Sequence, residues 1–236
     1  GGDGVAVVGI GSRFENFGTV TGGDGGQNAG DASRSGNAGA GIRLGHDAYV
    51  VNAGTVRAGL SYNSDASTHT GAIEIVGANA TLELRAGSDI QGKVHVADGI
   101  TDAKLVFGGA QDLAVDVGIG IYDGFAKVAK TGAGTLTLTG VSTSALPWRV
   151  EEGLVAISQE ASFGNDTSTV TLAGGGIQFG ADQTLTRTYT LEGAHSVFDT
   201  QAHTVTLSNS LVGNGGLVKK GTGTLIVTGE NSYTGG

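Results

Sequence analysis

The side chains with which this chain could hold a metal or move a proton are a few histidines and closely spaced carboxylates. They are His195 and His203, Asp98 and Asp102, and Glu151 and Glu152. Two histidines can begin a metal site, and paired carboxylates act as acid and base in polysaccharide cleavage. Each pair, however, lies in strand or turn sequence without further ligands close by. We therefore interpret these residues as solvated side chains of turns, corners and strand edges.

Motifs of the common enzyme classes are missing from the sequence. It has no G-x-S-x-G elbow, no H-E-x-x-H motif and no phosphate-binding P-loop. Two G-x-G phrases, at 39–41 and 118–120, resemble a dinucleotide-binding loop, but their third glycine comes one residue late and no helix is predicted to follow. The stretch GGDGGQNAGD at 22–31 resembles a calcium-binding repeat but has no tandem copy. We predict no catalytic, cofactor-binding or metal-binding residue, and the sequence assigns no binding residue.

Trp148 is the single tryptophan and follows Pro147, the single proline. An exposed tryptophan is a frequent anchor in binding surfaces. Next to a proline, in a chain of short strands, it more often covers an irregular turn. We expect the second role.

The overall composition limits the classes of protein to which the chain can belong. Its 236 residues include 45 glycines and no cysteine, and its net charge is −9. Disulfides and thiolate metal sites are therefore excluded. The negative charge argues against binding to nucleic acid or to anionic membranes. The length is sufficient for a substantial hydrophobic core.

Short runs of alternating apolar and polar residues indicate β-strands throughout the chain. The clearest runs lie at 81–84, 113–119, 135–139 and 184–191. Alternation with a period of two places one set of side chains in a core and the other in solvent. We expect Leu136, Leu138, Leu225 and Val227 to point inward, and Thr135, Thr137 and Thr224 to point outward.

The strands belong to an imperfect repeat. The phrase GAGTLTLTG at 132–140 returns as GTGTLIVTG at 221–229, and NFGTV at 16–20 returns as NAGTV at 52–56. Recurring short strands without hairpin turns favour a parallel β-helix, here of roughly ten coils. An antiparallel β-sandwich would need hairpin signals, for which Asp98-Gly99 and Asp123-Gly124 are the only candidates. Segment 21–41, rich in Gly, Asn and Ser, is predicted to be a loop that projects from one coil.

The repeated phrase resembles the passenger-associated transport repeat of bacterial autotransporters, which use type V secretion. The copy at 219–229 continues as Asn231-Ser232-Tyr233-Thr234-Gly235, as that repeat does, whereas 141–148 replaces this phrase in the first copy. The first copy rejoins the pattern at 152–157, 162–164 and 170–172, so that repeats of this type extend over 130–236. Residues 75–109 also resemble passenger sequence.

The resemblance implies that residues 1–236 form a single right-handed parallel β-helix on the outer face of a Gram-negative cell. The chain, which stops within a repeat unit, would be a fragment of a longer protein. That protein would be anchored in the outer membrane through a C-terminal β-barrel translocator, or released outside the cell.

The same resemblance implies a structural rod without enzyme activity that acts in adhesion and virulence. Its partners would be glycans or proteins of a host surface or matrix, or the same protein on another cell. One alternative is an inert stalk that presents an effector domain located elsewhere in the protein. A β-helix enzyme acting on polysaccharide is a further alternative, which the missing catalytic motifs argue against.

The predicted register can be tested at Leu138. Replacement by Asp would place a charge in an apolar column and should cost several kcal/mol of unfolding free energy. Thr137→Asp, on the outward side of the same strand, should have little effect. Both values are measured by chemical denaturation, and a Leu138→Asp variant as stable as the parent would show that the register is wrong.

Overall fold

The computed structural model describes residues 1–26, 36–61, 71–118, 122 and 124–235. Within these ranges the chain has 25 β-strands and one short 3-10 helix, Glu160–Phe163. Neighbouring strands are paired in parallel. No helix in these ranges is long and apolar enough to cross a membrane. The chain divides into two compact units, Gly1–Leu105 with Gly120–Ala126, and Val106–Ile119 with Lys127–Gly236.

In the first unit, consecutive strands lie in three different sheets. The strands are β1 (Val5–Val7), β2 (Arg13–Asn16), β3 (Thr19–Thr21), β4 (Ile42–Leu44), β5 (Tyr49–Asn52), β6 (Thr55–Arg57), β7 (Ile73–Ile75), β8 (Thr81–Leu84), β9 (Asp89–Gln91), β10 (Val94–Val96) and the start of β11 (Lys104–Phe107). The three sheets of this unit have the orders β1-β4-β7-β10, β2-β5-β8 and β3-β6-β9. This strand order is that of a parallel β-solenoid.

The second unit has the same arrangement. Its strands are β12 (Leu113–Asp116), β13 (Lys127–Lys130), β14 (Thr135–Thr139), β15 (Trp148–Val150), β16 (Leu154–Ile157), β17 (Val170–Leu172), β18 (Gly176–Phe179), β19 (Gln183–Leu185), β20 (Tyr189–Leu191), β21 (Ser196–Asp199), β22 (Thr204–Leu207), β23 (Leu211–Gly213), β24 (Leu217–Lys220) and β25 (Thr224–Val227). The sheet β12-β14-β16-β18-β21-β24 has six strands, the sheet β19-β22-β25 has three, and β13-β15-β17-β20-β23 are paired in a further sheet.

The prediction of a parallel solenoid is therefore confirmed, with about seven turns where roughly ten coils were predicted. The first turns use more residues than expected. Asn16 and Asn52, which are neighbours on adjacent strands, are 36 residues apart, whereas Lys130 and Glu152, also on adjacent turns, are 22 apart.

The inward columns agree with the predicted register. Leu136 is buried and lies in register with Leu113 on one side and Val155 on the other, while Leu138 is also buried and Thr137 is exposed. Parallel pairing stacks side chains that point the same way, so each column adds apolar area from every turn.

The last strand departs from the predicted burial. Leu225 and Val227 lie in register with the buried Val205 and Leu207 and therefore point the same way. Leu225 is only half-buried, however, and Val227 is 40% exposed. The reason is that β25 stands at the edge of its sheet, with a paired strand on one side only.

The segment predicted to project as a loop, 21–41, is described at 21–26 and 36–41. Gly22 N–H donates to the carbonyl of Arg57, and Gly39 N–H donates to that of Gly23. Ala40 is fully buried. These parts are thus bonded to neighbouring backbone. Residues 27–35 lie outside the described ranges, so the projecting loop stays a prediction.

Glycines line the corners at which one turn passes the next. A Cβ on Gly193 would lie 2.3 Å from the backbone nitrogen of Gly174, and a Cβ on Gly215 would lie 2.4 Å from the carbonyl oxygen of Gly193. Backbone atoms cannot move aside without breaking the strand pairing of both turns. These corners therefore exclude every residue with a side chain.

Replacement of Gly193 by Ala tests this requirement. The added methyl group should lower the unfolding free energy by about 1–3 kcal/mol, the usual cost of overpacking. Gly18→Ala is the matched control, since a Cβ at Gly18 would meet nothing within 4 Å. Equal stability of the two variants in chemical denaturation would contradict the proposed close approach.

Candidate functional site

The two copies of the repeated phrase form the same corner on different faces of the solenoid. The corner glycines, Gly132 and Gly221, both have positive φ, 73° and 79°, which glycine adopts without steric cost. The first copy joins β13, which pairs with β15, to β14 of the six-stranded sheet, while the second joins β24 of the six-stranded sheet to β25 of the three-stranded sheet. The phrase therefore specifies a corner and the strand after it, not a particular face.

A lysine closes each of these corners. The Lys130 ammonium donates to the carbonyls of Thr131 and Gly132, at 2.9 and 2.6 Å, and to that of Glu152 on the next turn, at 3.2 Å. Lys130 is buried, and this burial lowers the pKa of its ammonium. Lys219, in the second copy, donates in the same way to the carbonyls of Lys220 and Gly221, at 3.4 and 2.9 Å. Unlike Lys130, Lys219 is exposed.

A second polar cluster lies around the 3-10 helix. The Glu160 carboxylate accepts hydrogen bonds from the backbone N–H of Thr186 and Arg187 and from the Tyr189 hydroxyl, at 2.9, 3.1 and 2.8 Å. Tyr189 is fully buried, and its burial, reinforced by Glu160, raises its pKa well above the usual value. Glu160 thus fixes the backbone of Thr186 and Arg187, which directly follow β19.

Arg187 is the other half of this cluster. Its guanidinium donates to the carbonyls of Gly164, Asn165 and Ser168, at 2.6 Å for Gly164 and 3.1 Å for Ser168. It also lies 3.9 Å from the Glu160 carboxylate, and both side chains are largely covered. Buried carbonyls need hydrogen-bond donors. In this irregular segment the Arg187 guanidinium supplies these donors, where in a sheet the N–H groups of a neighbouring strand would.

The structure does not bring the candidate histidines together into a site. His195 is exposed. His203 Nδ1 lies 3.3 Å from the carboxylate of Asp182, a residue that is itself mostly exposed. Across the described part of the chain, no three His, Cys, Asp or Glu side chains gather as a metal ion would require.

The members of each candidate carboxylate pair have different surroundings. Asp98 is exposed, and Asp102 accepts the backbone N–H of Asn79 at 2.9 Å. Glu151 lies 3.4 Å from Arg149, while the neighbouring Glu152 is exposed. Asp102 and Glu151 are thus bonded to groups of the protein itself.

The other residues for which the sequence suggested a special role are located as follows. Trp148 is buried, stacks on Phe107 with ring centroids 5.8 Å apart, and donates its Nε1–H to the Phe163 carbonyl at 2.9 Å. It is a core residue and not a surface anchor.

Asp98-Gly99 lies between two strands of different sheets, so it is not a hairpin turn. Asp123 and most of the phrase at 118–120 lie outside the described residues.

Polar side chains in the first unit are likewise bonded to one another. Asn16 and Asn52, both buried, form an amide pair at 2.8 Å, which explains the repeated N-x-G-T-V phrase. Glu83 is buried and accepts from the Tyr49 hydroxyl at 2.5 Å and from Arg85 at 2.6 Å. Burial, with a smaller contribution from Glu83, raises the pKa of Tyr49 to about 12.

Sequence reasoning missed Lys130 and the cluster of Glu160 and Arg187. For Lys130 a signal existed, because lysine occupies the same position in both copies of the repeat, at 130 and 219. No signal in the sequence pointed to Arg187, because its partners are backbone carbonyls of an irregular segment about 20 residues away.

Comparison with known proteins identifies the repeat. Residues 128–156 and 217–236 match the model of the passenger-associated-transport-repeat, and these ranges contain both lysine corners. The chain is also 38% identical over 119 residues to the adhesin BmaC autotransporter of Brucella suis biovar 1 (strain 1330). The chain is part of an autotransporter passenger domain. It is located at the bacterial cell surface, anchored in the outer membrane or secreted.

This passenger segment spans a small part of its relative. The match covers 45% of the chain but only 4% of the length of the Brucella protein. No solved structure matches the chain.

Replacement of Lys130 by Met tests the corner lysine. The variant would leave the carbonyls of Thr131, Gly132 and Glu152 without their donor, and should lose about 1–3 kcal/mol of unfolding free energy. Lys219→Met is the matched control, because the exposed corner carbonyls can bond to water. If the two variants lose the same amount in chemical denaturation, burial of the lysine is not what gives the corner its stability.

Proposed function

We propose that this passenger segment is a structural, non-enzymatic module that acts in adhesion. It would attach the cell to proteins or glycans of a host surface, or pair with the same protein on another cell. The observation that carries the proposal is the 38% identity over 119 residues to a protein named an adhesin. The full-length protein would also carry a C-terminal β-barrel translocator, as the transport repeats suggest.

The arrangement of polar groups supports a binding role over an enzymatic one. The buried Lys130 and Arg187 and the largely covered Glu160 bond to the protein itself. What the sheets offer to a partner is their outward side chains, repeated from turn to turn. Many weak contacts of this kind can add up to firm attachment.

We also infer a right-handed winding. Connections between parallel strands of one sheet are right-handed in about 98% of cases, because the strand twist favours that hand. Every sheet here is built from such connections.

An inert stalk that presents an effector from another part of the protein is the second candidate. The small share of the Brucella relative that the chain covers, 4%, favours it, because an activity could reside in the remainder. A stalk would have no ligand of its own.

Coated beads separate the two functions. Beads carrying the purified chain should attach to cultured host cells, or should clump with one another in light scattering. Beads coated with the Leu138→Asp variant, which we expect to be unfolded, are the control. Coated beads that neither attach nor clump would overturn the adhesive function and favour the stalk.

A further inference from the structure

The outward face of the three-stranded sheet carries a group of threonines that we call the threonine grid: Thr184, Thr204, Thr206 and Thr224. Thr184 lies in register with Thr206 on the adjacent strand, and Thr204 lies in register with Thr224. Three of the four are exposed, and Thr206 is half-buried. They alternate with inward residues such as Val205 and Leu207, which are fully covered.

The hydroxyls of the grid are free. Within the described residues, none of the four forms a hydrogen bond through its side chain. Three hydroxyls just beyond the strand ends differ, since Thr186 donates to Glu160, Ser208 to the Leu185 carbonyl and Thr228 to the Leu207 carbonyl. The grid therefore presents unused donors and acceptors, whereas its surroundings have used theirs.

The positions of these hydroxyls are fixed by the sheet. Neighbouring strands are about 4.8 Å apart, and residues two apart along a strand are separated by about 6.6 Å. Threonine is restricted at χ1, so little side-chain entropy is lost when a ligand binds. A flat, regular arrangement of hydroxyls and methyl groups results.

The grid carries no charge, in a chain whose net charge is −9. Asp182, which precedes β19, already accepts the N–H of Thr204 at 2.8 Å and lies 3.3 Å from His203. An anionic polymer would find no cation among the four threonines. A protein partner would find none of the aromatic or arginine anchors on which such interfaces depend. An uncharged ligand with many hydroxyls, repeated along its length, fits this surface.

We propose that the threonine grid binds a neutral polysaccharide. Sugar hydroxyls would exchange hydrogen bonds with the threonine hydroxyls, and the C–H faces of the rings would pack on the threonine methyl groups and on Ile226, which is 41% exposed beside the grid. Each contact is weak, and a polymer that spans several of them gains by multivalency. This inference rests on the proposed adhesive function and names its ligand class and surface.

The test is affinity electrophoresis of the purified chain in gels that contain a neutral polymer (dextran, mannan or a galactan) or an acidic one (hyaluronate or polygalacturonate). We expect at least one neutral polymer to retard the chain and the acidic polymers to leave it unretarded. The variant Thr184→Val with Thr206→Val keeps side-chain shape and strand preference but removes two hydroxyls. It should weaken retardation about tenfold, as the loss of two ordinary hydrogen bonds implies.

The matched control is Thr137→Val with Thr171→Val, which likewise changes one exposed and one half-buried threonine, but on other sheets. It should bind like the parent. The proposal is overturned if no neutral polymer retards the chain, if an acidic polymer retards it more, or if the grid and control variants behave alike. Coated beads that still attach to cells in any of these cases would overturn the polysaccharide site alone and leave the adhesive function standing.

Discussion

The structure depends on how closely one turn of backbone can pass another. In a parallel solenoid every turn must stay within one strand spacing of the next, at the corners as well as in the sheets. At the sheets this distance is set by hydrogen bonds. At the corners the two backbones can come this close only where the residue has no Cβ. Gly193 approaches Gly174 in this way, and Gly215 approaches Gly193. At these corners glycine is therefore a consequence of stacking.

The corners also leave carbonyls that no strand pairs, and the chain supplies donors for them in several ways. Asn52 donates to the Gly54 carbonyl, Lys130 bonds to carbonyls of two turns, and Arg187 bonds to three carbonyls around the 3-10 helix. A buried carbonyl without a donor costs about 1–3 kcal/mol. The buried charges of Lys130 and Arg187 are thus explained by the backbone carbonyls that they satisfy.

The sequence predicted those features that repeat. Alternation placed Leu136 and Leu138 in the core, and the recurrence of N-x-G-T-V indicated repeated turns, in which the structure pairs Asn16 with Asn52. Features that occur once were not predictable in this way. The role of Arg187 depends on an irregular segment, and the number of turns depends on long connections that carry no periodic signal. The second copy of the longer repeat forms the same corner as the first but lies between different sheets. The reason is that a local phrase encodes the bend and not the sheets that the bend joins.

This division of roles explains how an acidic chain with few charged surface clusters can still serve as a binding surface. Stability comes from inward columns, glycine corners and side chains that bond to corner carbonyls. The outward positions are then constrained only to favour a strand, and threonine meets that requirement while it keeps a hydroxyl in solvent. Where the hydroxyl has an internal partner, as in Thr186, Ser208 and Thr228, it supports the fold. Where it has none, as in Thr184 and its neighbours in the grid, it stays in solvent and is available to a ligand.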